Sequence, residues 1–583
     1  MTEFTVWAPA ASRVRLRLVG TGAGETATDH EMTAGADGWW SVDVPDAGPG
    51  TDYAYLLDDG DLALPDPRSA WQPDGVHGAS RVYDHSAYAW HDQHWTGRQL
   101  PGGVLYELHV GTFTPEGTFD SAVDKLDHLV ELGVDLIELL PVNAFNGDHN
   151  WGYDGVCWFA PHHGYGGPDG LKRLVDAAHA RGLGVILDVV YNHFGPSGAY
   201  APLFGPYLAE TSNTWGRSVN LDGPHSDEVR RYIVDSVLTW LRDYHLDGLR
   251  LDAVHALRDQ RAIPLLEELA TEVEALSTHL GRPLSLIAES DLNDPRLITP
   301  REAGGFGLHA QWNDDAHHAL HTLLTGEEQG YYADFGSLES LADVLAGAFF
   351  HTGGRSGFRG RGHGRPVDRH RVPGHRFVAY LQNHDQIGNR ATGDRMSASL
   401  SPALQRVGAT LLLTAPFTPM LFMGEEWAAS TPWQFFTSHP EPELAAAVAA
   451  GRRREFAAHG WPEGIVPDPQ DPQTFARSRL DWAELEKPEH REMLDFYRRL
   501  IALRRSRPDL SDPRLDRIDV RYGDQFLVVR RGNCVVAANL AGKPQRIDLA
   551  SVVRTVLLAT GPGAIVTRNG VELPAESAVI VAV

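Results

Sequence analysis

Short apolar runs alternate with longer amphipathic stretches through most of this chain. VLYELHV (104–110), VDLIELLPV (134–142), GLGVILDVVYNH (182–193), GLRLDAVH (248–255) and LSLIAESD (284–291) read as strands with both faces buried. Between them lie FDSAVDKLDHLVELG (119–133), DGLKRLVDAAHARG (169–182) and stretches at 226–245 and 261–280, whose apolar positions recur at helical spacing. FGLHAQW (306–312) is a weaker sixth strand, and RFVAYLQNHD (376–385) and APFTPMLFMGEE (415–426) make seven and eight. Eight such strands with crossover helices predict a closed parallel (β/α)₈ TIM barrel. A doubly wound open sheet is the structural alternative, but no GxGxxG follows any strand, so a nucleotide site has no support.

The flanks lose this alternation. FTVWAP, RVRLRLV, GWWSVDVP and DYAYLLDD are short runs broken by Gly, Pro and Asp turns, which suits a small N-terminal β-sandwich over 1–95. Residues 86–103 read as a linker. After residue 500, DRIDVRYGDQFLVVRRGNCVVAANL and AESAVIVAV predict a C-terminal all-β domain over 500–583, leaving 96–499 for the barrel and its rim insertions.

Composition changes the picture mainly by exclusion. The 583 residues carry 51 basic and 77 acidic side chains, a formal charge of −26, which argues against a nucleic-acid partner. The Gly/Arg/His-rich tract 351–375 alone resembles an RNA-binding segment, but its place just before the seventh strand makes it a rim loop. Two distant cysteines, Cys157 and Cys534, exclude a disulfide framework, and no Cys/His cluster suggests a metal. The N-terminus lacks a signal-peptide pattern and no apolar run is long enough to span a bilayer, so no membrane partner and a cytoplasmic location are expected.

Chemistry gathers at the strand ends. Asp252 follows an apolar strand core with Arg250 two residues earlier, on the same face, so a guanidinium beside a carboxylate is expected there. An ordinary buried ion pair is an equal alternative for that doublet taken alone. Glu289 follows LSLIA, whose dryness raises a carboxyl pKa toward that of a general acid. Asp385 and His384 stand in QNHD, too polar for core filler, while Asp188 and His193 close the third strand. Cleaving a glycosidic bond takes one carboxyl group to protonate the leaving oxygen and a second to attack carbon or activate water. Any one of these residues is a weak signal. Four strand ends in order are a strong one.

Together the four segments resemble the four short regions of the alpha-amylase family, glycoside hydrolase family 13. The resemblance implies Asp252 as nucleophile, Glu289 as general acid/base and Asp385 as the third, transition-state-stabilising carboxylate. It implies Arg250, His193 and His384 as contacts to the nucleophile or to the sugar beside it. Tyr153, in WGYDG, resembles the aromatic that stacks on that sugar; Trp158 reads as packing. LPDPRSAWQPDGVHGASRV, YELHVGTFTPEGTF and AESDLNDPRLITP narrow the likeness to the branch that releases trehalose from maltooligosyltrehalose by a retaining mechanism. The expected partners are therefore that substrate and related α-glucans, with no cofactor and no metal. A glucan branching enzyme and a non-catalytic glucan-binding protein are the alternatives; against the first, AES carries Ser290 where a second acid is expected. Trp215, Trp312, Trp427, Trp433 and the 351–375 loop are candidate rim contacts.

Overall fold

The computed structural model describes residues 2–20, 27–458 and 463–583. Eight parallel strands close into a barrel in chain order: β1 Leu105–Leu108, β2 Leu136–Leu139, β3 Gly184–Val189, β4 Gly248–Leu251, β5 Ser285–Ala288, β6 Ala310–Trp312, β7 Phe377–Tyr380 and β8 Thr418–Phe422. Closure comes from β8 pairing with β1, with Met420 opposite Leu105. All eight apolar runs read from the sequence are barrel strands.

Alternation along these strands positions the site. Leu105, Leu136, Ile186, Ile287, Ala310, Trp312, Val378, Tyr380 and Met420 form one buried cluster, the filling of the barrel. Two residues further along, on the same face, come Glu107, Glu138, Asp188 and Glu289. An apolar floor thus carries a layer of acids, and burial of each large aliphatic contributes about 1.5–3 kcal/mol toward holding that layer in place.

Local chemistry shortens several predicted elements. The helix expected over 119–133 is two, Phe119–Val123 and Leu126–Leu132; the first opens with a Thr118/Ser121 capping box and the second stops at Gly133, φ 100°. The helix expected from 261 starts at Leu265, because Pro264 is extended. The first strand ends at Leu108, and Val110–Phe113 turns into a helical turn.

The N-terminal sheets hold Thr2–Trp7, Trp39–Val44 and Thr33–Ala34 on one side and Thr28–Glu31, Val14–Val19, Asp52–Leu57 and Ser80–Arg81 on the other. They are pinned to the barrel through Arg68, which bonds Asp235 at 2.8 Å and lies over Trp39 and Tyr232. The stretch read as a linker is also anchored. Asp92 meets His179 and His245, each at 2.8 Å, and Trp95 Nε1 donates to Asp247 at 2.8 Å. Helix Pro488–Ser506 crosses residue 500, and the C-terminal strands begin at Ile518, in a five-stranded and a three-stranded sheet. Among the described residues no helix is long and apolar enough to cross a membrane, and no group of His, Cys, Asp or Glu is arranged to hold a metal ion.

Candidate active site

At the C-terminal rim of β4, Arg250 organises the site. Its side chain is fully buried under Trp312, whose ring centroid is 4.2 Å from the guanidinium carbon. Nη1 donates to both oxygens of Asp188 at 2.9 and 2.8 Å and to Asp252 Oδ1 at 2.8 Å, while Nη2 lies 3.7 Å from Glu289 Oε2. One cation therefore touches the ends of three consecutive strands. The i, i+2 relation read from the sequence holds, and Asp252 Oδ2 takes a second bond from Asn192 Nδ2 at 2.7 Å.

Glu289 is held from the β4 side. The backbone N–H of Ala253 donates to its Oε2 at 2.6 Å. Burial raises the carboxyl to about 8; Arg250 opposes the rise, and Asp252, Asp314 and Asp385 add to it. Raised in this way, the Glu289 carboxyl favours keeping its proton near neutral pH.

Asp385 lies in the first turn of the short helix His384–Gly388 after β7, capped by Asn383, which accepts from the N–H of Gln386 at 2.7 Å. Its side chain is 42% exposed, against 13% for Asp252 and 17% for Glu289. Burial pushes its carboxyl up, but His384, with Nε2 3.4 Å from Oδ2, outweighs that and brings it to about 2. His384 itself is fully enclosed. Nδ1 donates to Glu107 Oε1 at 2.5 Å and its backbone N–H to Glu107 Oε2 at 3.0 Å. Nε2 lies 2.8 Å from the Tyr153 hydroxyl, which donates a hydrogen bond to Asp188 at 2.5 Å. Burial lowers the imidazole pKa, yet Asp385 and Glu107 hold it well above the ordinary value. Both ring nitrogens face oxygen atoms, and the flanking carboxylates favour the protonated ring.

Of the seven residues singled out by sequence, the structure brings Asp252, Glu289, Asp385, Arg250, His384 and Tyr153 into one network. His193 reaches Asp252 only indirectly. Its Nδ1 is 2.5 Å from Asn192 Oδ1, its Nε2 donates to the Tyr153 carbonyl at 3.1 Å, and its ring stacks on Trp215 at 5.9 Å. Tyr153 stacks on His384, ring centroids 5.1 Å apart.

The expected rim contacts divide. Trp215 is 48% exposed and Trp312 floors the cleft, but Trp427 and Trp433 are wholly buried and are core, not rim. Trp158 packs against Phe194 at 4.1 Å, as expected. The 351–375 tract is a rim loop: a hairpin of Thr352–Arg355 and Gly362–Gly364 places Arg359 at 2.8 Å from Asp291 and Phe358 at the wall. A cavity of about 240 Å³ opens there between Glu289, Asp385, Trp312 and Phe358.

Sequence reasoning missed Glu107, Asn192 and Glu138. Glu107 and Glu138 pair across β1 and β2, each a lone acid inside an apolar strand run, which is the signal that could have found them. Burial pushes the Glu138 carboxyl well up.

Fold and side chains together are those of an alpha-amylase-type glycosidase barrel. The family described as alpha amylase, catalytic domain, matches residues 79–202, and carbohydrate-binding module 48 (isoamylase N-terminal domain) matches residues 1–70. The chain is 56% identical to the malto-oligosyltrehalose trehalohydrolase of Rhizobium sp. (strain M-11) over 99% of this chain and 97% of that protein. It is 54% identical to the malto-oligosyltrehalose trehalohydrolase of Mycobacterium tuberculosis over 100% of this chain and 99% of that one. A crystal structure from Salmonella typhimurium, assigned as an alpha amylase, superposes with a TM-score of 0.90 at 39% identity, covering 100% of this chain and 97% of that one. The chain belongs to the malto-oligosyltrehalose trehalohydrolase family.

Proposed function

We propose that this protein is a retaining glycosidase that cuts the α-1,4-glucosidic bond next to the terminal trehalose of maltooligosyltrehalose and releases trehalose. The observation that carries the chemistry is the division of labour under Arg250. Asp252 is held in place by Arg250 and Asn192 at 2.8 and 2.7 Å, while Glu289, on the next strand, is raised to about 8 by burial and is the group that favours keeping its proton.

In the first step an Asp252 oxygen attacks the anomeric carbon. The bond to the leaving oxygen breaks, and Glu289 gives its proton to that oxygen as trehalose departs. In the second step water attacks the same carbon, Glu289 takes a proton from it, and the bond to Asp252 breaks, so both residues return to their starting states. Asp385 holds hydroxyls of the reacting ring, binding that grows as the ring flattens. His384 and Tyr153 form the wall beside it.

The substrate assignment rests on likeness over the full chain length to the family named above. Product analysis after incubation with maltotriosyl trehalose and, separately, maltopentaose tests it. Trehalose from the first with slow cleavage of the second is expected; glucose or maltose from both at similar rates would overturn the reading. Amylose whose iodine staining changes as α-1,6 links appear would point to branching instead. The proposal includes a cytoplasmic site of action, in keeping with two buried free cysteines. Activity recovered only in the culture medium would contradict it.

A further inference from the structure

Asp385 is the most exposed of the three carboxylates, and its two oxygens have different partners. His384 faces Oδ2, and Asn389 Nδ2 donates to Oδ1 at 3.3 Å. Asn389 is itself an exposed side chain, and at 3.3 Å the Asp385 carboxylate alone holds its NH₂ end only weakly against water. Presenting the carbonyl end would set two acceptors against each other.

A residue from a different part of the chain settles this choice. Helix Pro442–Ala458 lies in the insertion after β8 and brings Arg452 over the end of the His384–Gly388 helix. Nη1 and Nη2 of Arg452 both donate to Asn389 Oδ1, at 3.2 Å each, and Nη2 also donates to the Gly388 carbonyl. A guanidinium has donors only, so it fixes the carbonyl end of Asn389 toward itself and turns the NH₂ end toward Asp385. The guanidinium is itself held in place. It lies 4.7 Å from the ring centre of Phe435 and 4.5 Å from that of Phe456, and its side chain is 10% exposed. Its carboxylate partner, Glu455, bonds the same Nη1 at 3.0 Å and is half in solvent.

We propose that Arg452 is a positioning residue for Asp385, acting through the side-chain amide of Asn389, so that docking of the helix after β8 sets the geometry of the third carboxylate. The inference rests on the reading of Asp385 as the group that binds the ring in the transition state. The Arg452 charge also adds to His384 and Arg250 in pulling the Asp385 carboxyl down.

A double-mutant cycle tests it, read as total glycosidic bonds cut in maltotriosyl trehalose. Arg452→Met and Asn389→Ala should each lower kcat about tenfold with KM within about twofold, since one charge-assisted hydrogen bond to a transition-state group is lost. The double variant should be no slower than the slower single, because both act on one bond. Arg452→Lys, which keeps the charge without the fork, should fall between. Arg453→Met, whose side chain points instead to Asp468 at 3.3 Å, should match the wild type. A kcat within twofold of wild type in Arg452→Met, or singles that multiply in the double, would overturn the proposal. If Arg452→Met loosens the helix, Asn389→Asp gives an independent reading. A second anion beside Asp385 should move the acid limb of the kcat–pH profile upward, and an unmoved limb counts against the proposal. Bonds are counted whatever the product, so a wild type that released glucose would remove the trehalose reading and leave this cycle interpretable.

Discussion

Ala253 donates its backbone N–H to Oε2 of Glu289 at 2.6 Å from a left-handed conformation, φ 42° and ψ 49°. The residue after the Asp252 carboxylate thus bends back to hold the acid on the neighbouring strand. A side chain in that region costs on the order of 1–2 kcal/mol, and the fold sustains it next to its chemistry.

Substitution at 253 should therefore separate strain from function. Ala253→Gly keeps the N–H and removes the strain, so kcat should stay within about twofold with Tm unchanged or higher. Ala253→Val adds a β-branched side chain at positive φ and should lower kcat at least about tenfold as the N–H leaves Glu289. Equal kinetics in the two variants would show that this backbone geometry does not govern the acid.

The pH dependence of stability follows from Glu289. Its folded-state pKa, about 8, lies above the unfolded value of about 4.3, so the native protein keeps a proton that the unfolded chain releases. The contribution is whole below about pH 4 and is lost as pH rises toward 8. Glu289→Gln should abolish turnover yet raise Tm, more at pH 8 than at pH 5. A Tm difference independent of pH would contradict the raised pKa. In the wild type, kcat/KM should decline through an alkaline limb near that same pKa.

Glu107 is predicted to matter through His384. Glu107→Gln keeps an acceptor for Nδ1 but removes the anion that holds the imidazole charged, so the His384 pKa falls. The imidazolium is then lost at lower pH, and the alkaline limb of kcat should move toward acid, with a loss of about tenfold or more at neutral pH. A variant that merely unfolds would lose activity at every pH without moving the limb.

The tryptophans separate binding from folding. Trp215 is half exposed beside His193 and His255, whereas Trp433 is buried against Trp151 at 5.3 Å. Trp215→Ala should raise KM about fivefold with kcat and Tm nearly unchanged, the loss of an aromatic face of about 1 kcal/mol. Trp433→Ala should cost about 3–5 kcal/mol of stability, measured by denaturant unfolding. Reversed outcomes would mean the exposed ring is structural.

Much of this was legible along the chain because strand alternation and strand ends are local properties. Arg250 and Asp252 lie two residues apart on one strand, and the bond of 2.8 Å between them follows from that spacing. Asp385 beside His384 was readable for the same reason. Glu107 was legible only as an odd acid in the buried run VLYELHV; its partner His384 appears once the barrel closes. Nor does sequence tell a rim tryptophan from a core one, since Trp215 and Trp433 differ only in what packs over them.

By itself, then, the sequence determined the barrel, the order of its strands and the polar residues each strand end presents, because these depend on neighbours two to four positions away. Only the tertiary structure decided which of those residues are charged and where they point. Glu107 meets His384 across 277 positions, and Arg452 meets Asn389 across 63. Such partners share no pattern in sequence; burial brings them together, and in a dry site the partner fixes whether a proton stays or leaves.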